Sequence, residues 1–149
     1  MALIVEDGTG LANAESYVTV AAADAYWAAR SHDERSAQWA SANAAAREGA
    51  LREASAFVDY VSEEVMVGIR SNGTQGLAWP RVSGQTDEDG NEIPLTDVDG
   101  YTITGVPAAS ATATMDVSVQ AQGQSFATMV GEEALRRYKV GDVEAEFKD

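Results

Sequence analysis

The sequence predicts a mainly α-helical fold: a small helical bundle carrying a long irregular loop and a short C-terminal β segment. Three observations point there. Leading up to residue 61, the apolar residues Leu51, Ala54, Phe57, Val58 and Val61 recur at three- and four-residue spacing, the period of one buried helix face. Residues 68–105 gather turn dipeptides such as Asn72-Gly73, Ser83-Gly84, Asp89-Gly90 and Asp99-Gly100, which interrupt regular structure. Near the end, Val143, Ala145 and Phe147 alternate with Glu144, Glu146 and Lys148, the two-residue period of a strand with one covered face. At 149 residues the chain is expected to form one domain, 1–149, around one core.

Taken in order, Leu3-Ile4-Val5 reads as a short strand or extended arm that stops at the turn-forming Glu6-Asp7-Gly8-Thr9-Gly10. Thr19, whose hydroxyl can accept from an unpaired helical N–H, caps a first helix over about Val20 to Arg30 that packs through Tyr26 and Trp27. Ser31 to Glu34 form a polar break. Ser41 or Asn43 then caps a longer helix running to about Val61. The stretch 71–104 is expected to be a long interaction loop, because its glycines make ordering entropically costly and neighbouring molecules would have to supply compensating contacts. Within it, Leu77-Ala78-Trp79-Pro80 and Tyr101-Thr102-Ile103-Thr104 are apolar enough to pack or pair. Pro107 suits the first turn of a third helix, about Val106 to Gln122, where its missing N–H has no helical partner to lose. Ala109, Ala113, Met115 and Val117 are the expected buried face of that helix. Ala134 to Tyr138 and Val143 to Phe147 read as two short strands around Gly141-Asp142. No internal repeat is expected.

Charge and composition exclude several function classes. Ten Lys and Arg stand against 24 Asp and Glu, a net charge of −14. Tight, non-specific nucleic-acid binding needs clustered cations to neutralise phosphates, and here they are scattered. The densest group, Arg136, Arg137 and Lys139, is flanked by acidic residues. An acidic surface instead suits a wall past which DNA slides. Apolar residues make up 45%, but alanine supplies much of that, and a thin core is often completed by neighbouring subunits. The absence of cysteine removes disulfides, thiolate nucleophiles and cysteine-based zinc sites. The N-terminus lacks the basic start and apolar run of a secretory signal, and no stretch approaches a membrane span, so a cytoplasmic origin is expected.

The candidate chemical residues have plain readings. His32, the single histidine, stands in a polar break beside Asp33 and Glu34, with no partner nucleophile implied, and reads as a solvated loop residue. Asp87-Glu88-Asp89-Gly90-Asn91-Glu92 could offer oxygen ligands to Ca²⁺. Its glycine comes too early for an EF-hand, however, and the twelfth position is Val98, so an acidic turn is expected. Gly8-Thr9-Gly10 lacks the third glycine and the lysine of phosphate-binding loops. No catalytic, metal or cofactor site is expected, and no enzyme. Trp79, held extended by Pro80, is either an anchor of the loop on its own helical core or an anchor in a neighbouring subunit. In the second case Arg81 could pair with a carboxylate across the same contact.

Two stretches, Leu3 to Val18 and Leu77-Ala78-Trp79-Pro80-Arg81 with Asp87 to Ile93, together with the ending Val140 to Phe147, resemble a phage family known as DnaT-like single-stranded DNA-binding proteins. Better-understood relatives of that family look like head–tail connector, or adaptor, subunits of tailed bacteriophages. The resemblance spans almost the whole chain and implies a structural virion protein at the head–tail junction, assembled in the host cytoplasm. It further implies a homo-oligomeric ring of about twelve subunits. The ring would sit between the portal protein and a tail-side connector or tail terminator, with DNA passing through without specific binding and no membrane involved. The segment 134–149 is the expected docking element. Its strand residues Val143 and Phe147 would add to a sheet edge, and Arg136, Arg137 and Tyr138 would flank the contact. The alternatives are a self-contained hairpin for that segment and, for the whole chain, a single-stranded DNA-binding module using aromatics such as Trp27, Trp79 and Tyr101.

Overall fold

The computed structural model describes residues 2–122 and the backbone of residues 139–140 and 143–144. Four helices stand among these residues: α1 (Val20–Ala28), α2 (Glu34–Ser41), α3 (Ala44–Ser62) and α4 (Ala108–Ser118). The mainly helical class read from the sequence holds. Helix α3 is central and packs most extensively on α4, while α1 packs on α2. Of its two candidate caps Asn43 is the one used, accepting from the Ala46 N–H at 2.8 Å. Leu51, Ala54 and Val58 of the predicted stripe are buried, and Phe57 is half-buried. Val61, on the same arc but in the last turn, is exposed because no described element covers it there.

Thr19 caps α1 as expected, but the helix ends at Ala28, two residues early. Helix α2 was not foreseen. It follows the polar break, whose Asp33 is its cap, and buries Trp39. The Trp39 indole N–H donates to Asp24 of α1 at 2.8 Å, and Arg47 of α3 donates to the Trp39 carbonyl at 3.2 Å. One aromatic residue thereby ties three helices together. The buried side of α4 also differs from the alanine face expected. Thr114 and Ser118 are fully buried, their hydroxyls satisfied by the Ser110 and Met115 carbonyls of their own helix. A small hydroxyl side chain that turns back onto its own helix carries no desolvation penalty and allows close approach to α3.

The segment after α3 departs furthest from expectation. Strands β1 (Ile69–Arg70) and β2 (Arg81–Val82) pair antiparallel, Ile69 opposite Val82. Between them the chain is buried from Leu77 to Pro80, with Leu77 and Trp79 in the main core beside Leu95. Gln75, itself buried, donates to the carbonyls of Leu77 (2.8 Å) and Pro80 (2.9 Å) and accepts from the Asn72 N–H. These contacts come from the chain itself, so residues 75–80 do not wait on neighbours for order. The backbone cost of ordering is offset by burial of two large side chains and a satisfied turn.

Residues 85–103 hold a repeat that the linear reading overlooked. Thr86-Asp87-Glu88-Asp89-Gly90-Asn91-Glu92-Ile93 and Thr96-Asp97-Val98-Asp99-Gly100-Tyr101-Thr102-Ile103 share the pattern Thr-Asp-x-Asp-Gly-x-x-Ile. Their hydrogen bonding is the same. Asp87 Oδ1 accepts from the N–H groups of Asp89 (3.0 Å) and Asn91 (2.8 Å), and Asp97 Oδ1 from those of Asp99 (3.0 Å) and Tyr101 (2.9 Å). Gly90 and Gly100, at φ of 83° and 86°, close each turn on the Asp87 and Asp97 carbonyls. Antiparallel bridges join Thr86 to Glu92 and Thr96 to Thr102. The second hairpin is anchored through buried Leu95 and half-buried Ile103, whereas the first lies almost wholly on the surface.

Near the C-terminus β3 (Lys139–Val140) pairs antiparallel with β4 (Val143–Glu144), which starts where the sequence placed the second strand. The stretch 134–138 lies outside the described residues, as does 145–149.

Candidate functional site

The N-terminal arm folds around an acid. Glu6, buried, takes the N–H groups of Gly8 (2.9 Å) and Gly10 (2.8 Å) on Oε1 and that of Leu11 (3.0 Å) on Oε2. A parallel bridge between Val5 and Ser16 closes the arm on itself, and the Asn72 side chain and the Gly76 N–H tie it to the later chain by donating to the Gly10 (3.0 Å) and Leu11 (2.9 Å) carbonyls. Tyr17, at its end, is gripped by two residues one turn apart on α3. Its backbone N–H donates to Ser55 Oγ at 3.1 Å, and its hydroxyl donates to Asp59 Oδ1. Helix geometry supplies the match, since positions i and i+4 lie above one another on one face.

The same carboxylate holds the 77–80 segment. Asp59 Oδ2 accepts from the Ala78 N–H at 2.8 Å, and the Tyr17 hydroxyl oxygen accepts from the Trp79 N–H at 3.1 Å. Arm, central helix and Trp79 segment meet at one anion. Burial raises the Asp59 carboxyl above its ordinary value, although the bonds from Tyr17 and Ala78 pull the other way. Burial, then the adjacent carboxylate, also push the Tyr17 phenol up.

Asp59 lies at the wall of a cleft of about 420 Å³, lined also by Tyr60, Glu63, Met66, Ile69, Arg70 and Arg81. Tyr60 and Ile69 are exposed at its mouth, next to exposed Val61 and Val65. Apolar surface with an aromatic, a methionine and arginines is the composition of interface cores. Among the described residues no three His, Asp or Glu side chains are grouped to hold a metal ion.

Residues 2–122 carry six arginines and no lysine, against eighteen Asp and Glu. Each arginine is engaged within the chain. Arg30 lies 3.5 Å from the Tyr26 ring centroid, Arg35 pairs with Asp33 and Asp116, Arg47 with Asp24, and Arg52 with Glu15 and Glu48. Arg70 reaches the Gln75 carbonyl at 3.4 Å. Arg81 donates to the carbonyls of Val67 (2.8 Å) and Gly68 (2.6 Å) and stacks over Trp79 at 5.9 Å.

Of the residues singled out from the sequence, the structure therefore brings Trp79 and Arg81 together. Trp79 is 5% exposed and anchors the segment on its own core, the first of its two readings. Arg81 binds backbone carbonyls of its own chain; the carboxylate contact belonged to the second reading of Trp79. Arg136, Arg137, Tyr138 and Phe147 lie outside the described residues, and of Val143 only the backbone is described, paired with Val140. His32 is exposed.

A family model described as "Putative DnaT-like ssDNA binding protein" matches residues 1–149. The chain belongs to this DnaT-like family. No curated protein and no solved structure matches the chain. The family match covers the arm, α3 and the Trp79 segment alike, so the Tyr17–Asp59–Ala78 junction lies within the matched region. Sequence reading missed Asp59. Its signal was a carboxylate one position past the buried Val58, set four residues after Ser55 on the face that α3 turns toward the core.

Proposed function

We propose that this DnaT-like chain is a structural subunit, a head–tail connector of a tailed phage that assembles with copies of itself into a ring of about twelve subunits. The observation that carries the proposal is the state of the cations: every described arginine is already held by its own chain, within a surface of large negative excess. Such a surface repels a phosphate backbone, which suits DNA passing through a channel without being gripped. The cleft lined by Tyr60, Met66 and Ile69 together with Glu63, Arg70 and Arg81 fits contact with protein. In this reading the partners are neighbouring copies, the portal protein and a tail-side connector or terminator. The place of action is the head–tail junction, after assembly in the host cytoplasm, and no catalysis or cofactor is involved.

The family's description favours a second reading, single-stranded DNA binding. Its structural support is Tyr60, a stacking surface, beside Arg70 in the cleft. Light scattering of the chain alone and with portal protein, with a single-stranded oligonucleotide titration at low and high salt, separates the two. Assembly with portal and weak DNA binding are the expected results. Tight, steeply salt-dependent oligonucleotide binding by a monomer, lost in Tyr60→Ala, would overturn the connector reading in favour of the second.

A further inference from the structure

The tandem hairpins present a face that no other described residue covers. Val98 is 94% exposed, Tyr101 72% and Ile93 39%. Six carboxylates, Asp87, Glu88, Asp89, Glu92, Asp97 and Asp99, surround them, and no Lys or Arg occurs between Arg81 and Arg136. The side chains of Asp87 and Asp97 are used in their turns. Those of Glu88, Asp89, Glu92 and Asp99 make no hydrogen bond or ion pair among the described residues. An exposed aromatic and valine ringed by unpaired anions asks for a partner that is cationic at its rim and aromatic or apolar at its centre.

The chain itself carries that chemistry. All six described arginines are committed internally, and the cations beyond them are Arg136, Arg137, Lys139 and Lys148, three within four positions and interleaved with Tyr138. We propose that the hairpin face of one subunit binds the Arg136-Arg137-Tyr138-Lys139 segment of a second copy. A face on one subunit meeting a different segment on the next is a heterologous contact, which generates rings when the rotation closes. Guanidinium groups can lie over the exposed Tyr101 ring while pairing with Glu88, Glu92 or Asp99. The inference rests on the ring reading above and names the contact that would build it.

Charge reversal tests it. In one variant Glu88→Lys, Asp89→Lys, Glu92→Lys and Asp99→Lys invert the hairpin face while leaving the turn-forming Asp87 and Asp97 in place. In the other, Arg136→Glu and Arg137→Glu invert the segment. Sedimentation velocity over a concentration series follows self-association, with circular dichroism as the check on folding. Each variant alone places like charges in contact and should raise the midpoint concentration for association by at least about tenfold. Mixed in equal amounts the two variants can alternate, so every contact again pairs opposite charges, and association should return toward the wild-type midpoint.

Unchanged association of each variant, with wild type assembling, overturns this contact and leaves the ring reading standing. Recovery only when both sets of changes are combined in one chain, and not on mixing, shows that the segment docks on its own subunit and overturns the second-copy proposal. A wild-type chain that stays monomeric at every concentration and with portal removes both. Should one variant fail to fold, the combined chain mixed with wild type decides: self-association of each without co-assembly supports contact between copies, and free co-assembly overturns it.

Discussion

Replacing Asp59 by alanine removes the acceptor that joins three parts of the chain. Two bonds end on this carboxylate, one from the Tyr17 hydroxyl and one from the Ala78 N–H, and the Tyr17 oxygen in turn holds the Trp79 N–H. Hydrogen bonds to a charged group contribute about 1.5–3 kcal/mol each, a gross loss of about 3–6 kcal/mol. Two terms oppose that loss. The carboxylate's own desolvation disappears, which is the dominant influence on its ionisation, and the adjoining cleft admits water to the stranded donors. A net destabilisation of about 2–4 kcal/mol remains, equivalent to roughly 4–16 °C in Tm for a domain of this size. Urea unfolding followed by tryptophan fluorescence and by circular dichroism measures it, and Trp79 should report local loosening first. Tyr17→Phe, which keeps the ring but removes the hydroxyl, should lose about half as much. A loss below about 0.5 kcal/mol for Asp59→Ala, the range of ordinary surface changes, would refute the view of this residue as the junction.

Other outcomes follow from the same geometry. Because burial raises the folded-state ionisation of Asp59, the folded chain binds a proton more readily than the unfolded one. Stability from this group therefore falls as pH rises from the ordinary aspartate value near pH 4, and wild type should gain on Asp59→Asn between pH 7 and pH 4.5; a gap that narrows on acidification contradicts it. Gly76→Ala should cost more than about 2 kcal/mol, since its Cβ would stand 2.5 Å from the Ala14 carbonyl oxygen, whereas Gly73→Ala, facing open space, should stay within about 0.5 kcal/mol in the same melts. Arg81→Ala should cost about 1–3 kcal/mol by releasing two carbonyls and the Trp79 ring, and Arg81→Lys should recover only part, because one ammonium cannot reproduce the fork. Asp97→Ala should speed amide exchange at Asp99 and Tyr101 by at least about tenfold while leaving Asp89 and Asn91 unchanged, as the two turns are independently nucleated.

Local signals in the sequence were faithful where the cause was local. Thr19 and Asn43 cap their helices because a short polar side chain reaches the next N–H groups whatever lies beyond, and the α3 stripe follows from helix period alone. The glycine turns were legible for the same reason. What failed depended on partners distant in sequence. Helix α2 has too few apolar residues to show a period, and Trp39 makes it a helix worth burying only once Asp24 and Arg47 are in place. Thr114 and Ser118 look like polar surface until α3 is brought against them. Trp79 was legible as an anchor on its own core, whereas the hold of Arg81 on the Val67 and Gly68 carbonyls is announced by no motif. The tandem hairpins were readable in principle and were hidden because Asp-x-Asp-Gly invites comparison with metal loops before comparison with itself.

That duplication gives the chain a graduated arm. Each ten-residue unit is closed by the same pair of positions, Gln85 with Ile93 and Leu95 with Ile103, so one unit can be added or removed and the flanking backbone meets the next turn in the same orientation. Only the unit that carries Leu95 and Ile103 is moored to the interior. A lineage could therefore lengthen or shorten this arm in steps of one hairpin at the first, outer unit, whose side chains lie outside the core.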